Sequence, residues 1–339
     1  MDEANNPHRD LGSTSGKYEP AGSQLFFGPN GLRAGWRLLI YLAVLSALFS
    51  IVVTLFRLVG RADAFKGMLD PVTVLLGEGI PLLLVLVAAW AMAKIEGGSF
   101  AAYGLPRENA FGATFWEGML IGFAAISVLL GSMQVAGGFH LAGTALHGTQ
   151  SWKYAFLWAA VFVVVALFEE FFFRGYALFT LTTGIGFWPA AIVSSAAFGY
   201  VHHRNPGENW VGAFAAGLVG LLFCLLLRRT GNLWMPIGFH AAWDWGETYF
   251  YGVPDSGQIA TGHLFNAIFS GPQWLTGGTV GPEGSYLCIA LLILLCVIFA
   301  ARQRLARYPD PTVRAALGHP RPHVRVFQPS ADPGGPQER

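Results

Sequence analysis

The sequence predicts an all-α protein, a polytopic transmembrane helical bundle of about eight spanning segments. Composition is the first reason. Hydrophobic residues make up 53% of the 339-residue chain and charged ones only 12%, about half the ~25% usual for soluble domains. A soluble fold of this length would need a charged skin that this chain cannot supply. The second reason is distribution, because the apolar residues gather in runs long enough to cross a bilayer. The third is that Lys and Arg collect near the ends of those runs. The net charge of +1 gives no case for a nucleic-acid partner.

Taken in order, residues 1–30 are polar and rich in Gly, Pro, Asn and Ser. They lack the apolar run and cleavage site of a signal peptide and read as a disordered tail. The membrane-embedded domain is expected over 31–305, with segments near 36–58, 70–94, 114–136, 154–179, 187–203, 210–228, 233–250 and 285–302. The fifth and seventh are short and carry His and Asp, so they are the weakest as lipid-facing spans. Gly212, Ala216 and Gly220 step along the sixth in the pattern of close helix packing. The stretch 251–284 reads as a Gly/Pro-rich loop lying on the membrane surface through Trp274. Residues 306–339 read as a second disordered tail. Cys224, Cys288 and Cys296 all sit in apolar runs, in neither a disulfide framework nor a zinc spacing, and read as packing residues.

An even number of spans puts both tails on one side. That side collects Arg33, Arg37, Lys94, Arg107, Arg228, Arg229, Arg302, Arg304 and Arg307. The other holds Arg57, Arg61, Lys66, Lys153 and Arg204. The bias favours a plasma-membrane protein with both tails cytoplasmic, although the first outer loop runs against it.

The charges in "LFEEFFFRGYALF", residues 167–179, demand a reason. Fourteen Leu, Phe and Val over residues 155–180 favour insertion by about 6 kcal/mol, against roughly 8–10 for three ionised side chains near mid-helix. The segment is marginal alone, so neighbours must pair these charges. Glu170 and Arg174 stand four apart on one face, acid first, as an ion pair that fixes the local fold. Glu169 points about 100° away and has no local partner. It reads either as a hydrogen-bonded core carboxyl or as a functional group, the default for an unpaired intramembrane acid.

Two further clusters offer partners. "AAFGYVHHRNP" puts Phe198 and His202 on one helical face, with His203 turned away. "LWMPIGFHAAWDW" puts His240 and Asp244 four apart on another. Each histidine alone would more often be a satisfied core residue. Together the three segments supply two carboxyls and two imidazoles, enough to activate a water. Laid out straight, the segments put His202 about 22 Å, Glu169 about 16 Å and His240 about 10 Å from one side. At least one helix must therefore tilt, begin later, or line a water-filled cavity. Glu78, in "LLGEGIPLL", either lines the same cavity or makes a structural hydrogen bond. Glu117 and Glu247 read as interfacial, and His140, His147 and His263 as solvated loop residues.

The ordered set Glu169-Glu170-x-x-x-Arg174, Phe198-x-x-x-His202 and His240-x-x-x-Asp244 resembles the three motifs of the CPBP intramembrane proteases, the CAAX protease and bacteriocin-processing group also called Abi. The resemblance covers about residues 153–250, the expected catalytic core. It implies an intramembrane endopeptidase that hydrolyses a peptide bond in a membrane-associated, prenylated or leader peptide. By position, Glu169 corresponds to the catalytic glutamate that activates water with His202. His240 and residue 244 correspond to a pair proposed to stabilise the oxyanion, and Glu170 and Arg174 to supporting residues; Phe198 opens the second motif. Asp244 departs from the common Asn. An ionised carboxylate would repel an oxyanion, so Asp244 serves if protonated, if it orients His240, or if it ligates a metal. The family is described both as metalloproteases and as metal-independent glutamate proteases. A divalent metal such as zinc, on Glu169, His202 and His240, stays open, because the histidines lie on different segments and not in an HExxH spacing.

Two other functions compete. A proton- or ion-coupled transporter would use the same groups as a relay, but neither internal repeats nor paired broken segments appear. A non-proteolytic membrane immunity or binding protein of the same fold would not need every acid/base position filled, as they are here. The expected partners are a peptide or protein substrate at the membrane and the lipid bilayer.

Overall fold

The computed structural model describes residues 23–28, 31–60, 70–302 and 306–308. Among these, the helices of ten residues or more are α1 (Ala34–Leu58), α2 (Pro71–Ile95), α3 (Ala113–Val135), α4 (Thr149–Arg174), α5 (Tyr176–Ile185), α6 (Phe187–His202), α7 (Trp210–Thr230), α8 (Trp234–Asp244) and α9 (Tyr286–Ala301). The chain is an all-α helical bundle of the membrane-spanning kind. Five stretches are long and apolar enough to cross a membrane: α1, α2, α3, the α4–α5 run Thr149–Ile185, and α7. The 16-residue α6 and α9 reach only about 24 Å, short of a hydrocarbon core of about 30 Å.

The fourth expected segment, 154–179, is two helices. Gly175 separates them, and a Cβ there would overlap the Phe171 carbonyl oxygen. α2 starts cleanly because Asp70 caps it, accepting from Val72 N at 3.0 Å and Thr73 N at 3.2 Å, with Pro71 as its first residue.

α8 is the axis of the molecule: all eleven of its residues are buried. It fits there because its neighbours are thinned to backbone. A Cβ at Gly118 or Gly122 of α3 would overlap the carbonyls of Met235 and Phe239, and one at Gly238 would overlap that of Phe115. On α7, Gly212 and Gly220 likewise meet Glu208, Ser195 and Arg174 closely. α8 continues as a π-helix, Trp245–Tyr251, which carries the seventh expected segment to its end.

The stretch 251–284 is more than a surface loop. It holds a strand β2 (Phe265–Phe269) that pairs antiparallel with β1 (Phe139–Thr144), Phe139 opposite Phe269. Before and after that strand it turns inward, so that Asp255, Ser256, Gln258 and Glu283 line the central cavity, while Trp274 is exposed. This inward fold buries Glu247 completely, correcting its expected interfacial place. Glu117 does lie near the surface, paired with Arg229 at 3.2 Å.

Of the expected tails, Ser23–Phe26 is a turn of helix whose Leu25 carbonyl accepts from Trp36 Nε1 at 3.0 Å. Arg307 N and Tyr308 N both bond the Arg228 carbonyl, and the Tyr308 ring packs 4.5 Å from that of Phe179. The remainder of both tails lies outside the described residues.

Candidate active site

Three helices bring the singled-out residues together. Glu169 stands five residues before the end of α4, His202 is the last residue of α6, and His240 and Asp244 lie on α8. Glu169 Oε2 is 3.8 Å from His202 Nε2 and 3.7 Å from His240 Nε2. His240 Nε2 is in turn 3.4 Å from Asp244 Oδ2. Helices that start and stop at different levels reconcile the unequal depths counted along the sequence. α4 begins at Thr149 and ends at Arg174, and α8 is a short inner helix.

Both imidazoles are held by their far nitrogens. His202 Nδ1 lies 2.9 Å from the Phe198 carbonyl, which can only accept, so Nδ1 carries the proton and Nε2 faces Glu169. His240 Nδ1 lies 3.1 Å from Glu170 Oε1, to which it donates. The same oxygen accepts from Arg174 Nη1 at 3.3 Å, and Glu170 and Arg174 are both fully buried. Glu170 therefore does more than neutralise Arg174: it fixes the ring of His240.

Aromatic rings complete the support. The Arg174 guanidinium lies 4.2 Å from the centre of the Phe198 ring, with Phe173 at 5.5 Å and Phe223 at 5.7 Å. Phe198 also packs against His202 at 4.2 Å between centroids. Phe223, on α7, stacks on His240 at 5.3 Å. His203 turns away and stacks on Trp210.

Against this well-tethered frame Glu169 is loose. Its Oε2 is buried and has no hydrogen-bond partner among the described residues. It opens into a cavity of about 420 Å³, lined also by Glu78, His202, His240, Asp244 and Asn205. Glu78 thus lines the cavity, the first of its two readings. At the loop end of the cavity, burial and then the Glu283 carboxylate push the Asp255 carboxyl up to about 7. Burial likewise raises Glu208.

Zinc bonds of about 2.0–2.2 Å in a tetrahedron put ligand atoms about 3.3–3.6 Å apart. Both Glu169–imidazole separations lie just above that, and the trio does not gather its three donor atoms as closely as Glu247, Asp255 and Glu283 do among the described residues. Glu169, His202 and His240 do not fit a closed zinc site. The gap suits a water, which accepts and donates over about 2.8 Å on each side.

Phe223 and Glu170's second contact had no sequence signal. A phenylalanine in an apolar helix looks the same whether it faces lipid or a catalytic ring.

Comparison with known proteins bears on the same stretch. Residues 150–246 match the family described as type II CAAX prenyl endopeptidase, Rce1-like. No curated protein matches the chain. The match contains the last 25 residues of α4, all of α5–α8 and every candidate residue named in the three motifs.

Proposed function

We propose, from the Rce1-like match over residues 150–246, that this integral membrane protein is an endopeptidase of the CAAX type whose hydrolytic water is activated by Glu169. The carrying observation is the orphaned Glu169 Oε2, buried and facing two imidazole nitrogens across a gap of 3.7–3.8 Å.

In this reading a water lies between Glu169 and His202 Nε2. Glu169 takes its proton as the oxygen attacks the scissile carbonyl, and returns that proton to the departing amine. His202 accepts from or orients the same water, its tautomer fixed by the Phe198 carbonyl. His240 has given its Nδ1–H to Glu170 and so presents Nε2–H to the oxyanion only as an imidazolium. Glu170, 3.1 Å from Nδ1, supplies the facing negative charge. Asp244 Oδ2, 3.4 Å from Nε2 and also lining the cavity, supports the reading in which Asp244 orients His240. The substrate is a peptide or protein held at the membrane.

The test is cleavage of a panel of prenylated and leader peptides by protein purified in detergent, wild type beside Glu169→Ala and His202→Ala. Cleavage by wild type that both substitutions abolish supports the reading. Absence of cleavage by wild type, or cleavage that survives both changes, sinks it. Because no step runs through zinc, 1,10-phenanthroline is expected to leave the rate unchanged; a loss restored by zinc would contradict the mechanism.

A further inference from the structure

A second acidic cluster lies beyond the catalytic groups. Glu247 on the π-helical extension of α8 meets Asp255 and Glu283 from the 252–284 segment, with one carboxylate oxygen of each within 4.8 Å of the others. Three carboxylates so close repel one another strongly unless something neutralises them. No ion pair from Lys, Arg or His reaches any of the three among the described residues.

Two of the acids are aimed by their neighbours. Asp255 Oδ2 accepts from the Thr248 hydroxyl at 3.0 Å. Glu283 Oε1 accepts from Trp243 Nε1 at 3.2 Å, and its Oε2 from Ser256 N at 3.1 Å and Ser256 Oγ at 2.8 Å. Glu247 is different. It is wholly buried, and neither of its carboxylate oxygens has a hydrogen-bond partner of good geometry among the described residues; Trp243, which also lies beside it, gives its Nε1–H to Glu283. Leaving such a group unsatisfied costs several kcal/mol or more. A buried acid with no well-placed donor, turned toward two acids that are held in place, is a ligand set in want of a cation.

We propose that Glu247, Asp255 and Glu283 bind a hard divalent cation, calcium, which clamps the 252–284 segment to the end of α8. Oxygen-only donors select calcium or magnesium over zinc or copper. Ligand supply selects between the two. Magnesium keeps several waters and is usually held through only one or two carboxylates, whereas calcium takes about six to eight oxygens in flexible geometry. Three protein carboxylates converging on one point, with further oxygens beside them, suit calcium. The Thr248, Trp243 and Ser256 donors then act as the outer groups that orient metal ligands. The cluster shares no ligand with the Glu169 site, so the cation takes no part in the chemistry. It holds the wall of the cavity in which that chemistry is placed.

Terbium, a luminescent calcium substitute, gives a readout that does not depend on hydrolysis. Full-length protein in detergent, stripped with EGTA, is titrated with Tb³⁺ under tryptophan excitation. Trp243 donates directly to Glu283, so a saturable luminescence displaced by Ca²⁺ is expected, together with a Ca²⁺-dependent rise in Tm. Glu247→Gln and Asp255→Asn should each weaken binding at least about tenfold. Trp243→Phe should lose most of the luminescence yet keep the Ca²⁺-dependent rise in Tm, which checks that the variants report on the site. No saturable signal in wild type, an unchanged affinity in both acid variants, or Mg²⁺ binding as tight as Ca²⁺ would overturn the assignment.

Discussion

Glu169 and Glu170 are neighbours in sequence with opposite surroundings, because successive helical residues point about 100° apart. Glu170 turns into the bundle, where Arg174 and His240 share one of its oxygens. Glu169 turns into the cavity, where its Oε2 has no partner among the described residues. The difference makes a stability prediction. Arg174→Ala would leave Glu170 charged and buried with only His240, costing about 3–5 kcal/mol. A large fall in Tm, measured with bound detergent held constant, is expected; a variant as stable as wild type would remove the ion pair from the account. Phe198→Leu should act differently, lowering the cleavage rate more than the Tm. It deletes the ring beneath both Arg174 and His202 while keeping the carbonyl that fixes the His202 tautomer. Charged and imidazole side chains in an apolar sequence announce themselves, so Glu169, Glu170, Arg174, His202, His240 and Asp244 were legible before any coordinates. Phe223 was not, since nothing in its helix marks which phenylalanine meets His240.

Packing of the elements rests on glycine where helices touch backbone to backbone. Gly118 and Gly122 of α3 let α8 approach until their missing Cβ atoms would overlap its carbonyls. Gly122→Ala should therefore cost about 1–3 kcal/mol or more and reduce monodisperse protein in fluorescence-detected size exclusion. Gly131→Ala on the same helix meets nothing within 4 Å and serves as the silent control. The helices themselves were legible from their apolar runs, including the short fifth and seventh. The break at Gly175 was missed because apolar residues run on through it. The strand Phe265–Phe269 was missed because five residues among many glycines and prolines carry too little alternation to stand out. That segment also has a pH signature. Asp255 has a folded-state value of about 7, above its ordinary 3.8, from burial and then Glu283; Thr248, His240 and Glu169 face it too, as do Asp244 and Glu247 nearby. The folded state thus holds a proton that the unfolded chain releases, so stability is fully present below pH about 4 and falls as pH rises toward 7. In EGTA, hydrogen exchange of residues 252–284 should quicken over that window, and Asp255→Asn should flatten the change. Exchange that slows with rising pH, after correction for the intrinsic rate, would contradict it.

On the scale of the whole molecule, several basic residues and the described residues nearest the tails share one end of the bundle. Arg37 pairs there with Glu96, Glu117 with Arg229, and Arg307 binds the Arg228 carbonyl. The cavity is lined from the other end, by Thr73 near the start of α2, Asn205 after α6, and Ser256. If the tails are cytoplasmic, as the Lys/Arg bias argues, the cavity opens on the outer face. Asn205→Cys should then react with a membrane-impermeant maleimide on intact cells. Cys224 and Cys288 are buried and Cys296 half-buried, so background is low. Labelling only after permeabilisation would reverse the orientation. The proposed function depends most directly on Glu169. Glu169→Gln keeps the shape of the side chain and removes its ability to take a proton. The deciding measurement is the cleavage rate of this variant against wild type, on the best peptide of the panel, with both proteins shown to be equally folded. A loss of about 10²–10⁴-fold is predicted for a missing general base. A rate within a few-fold of wild type would contradict the account.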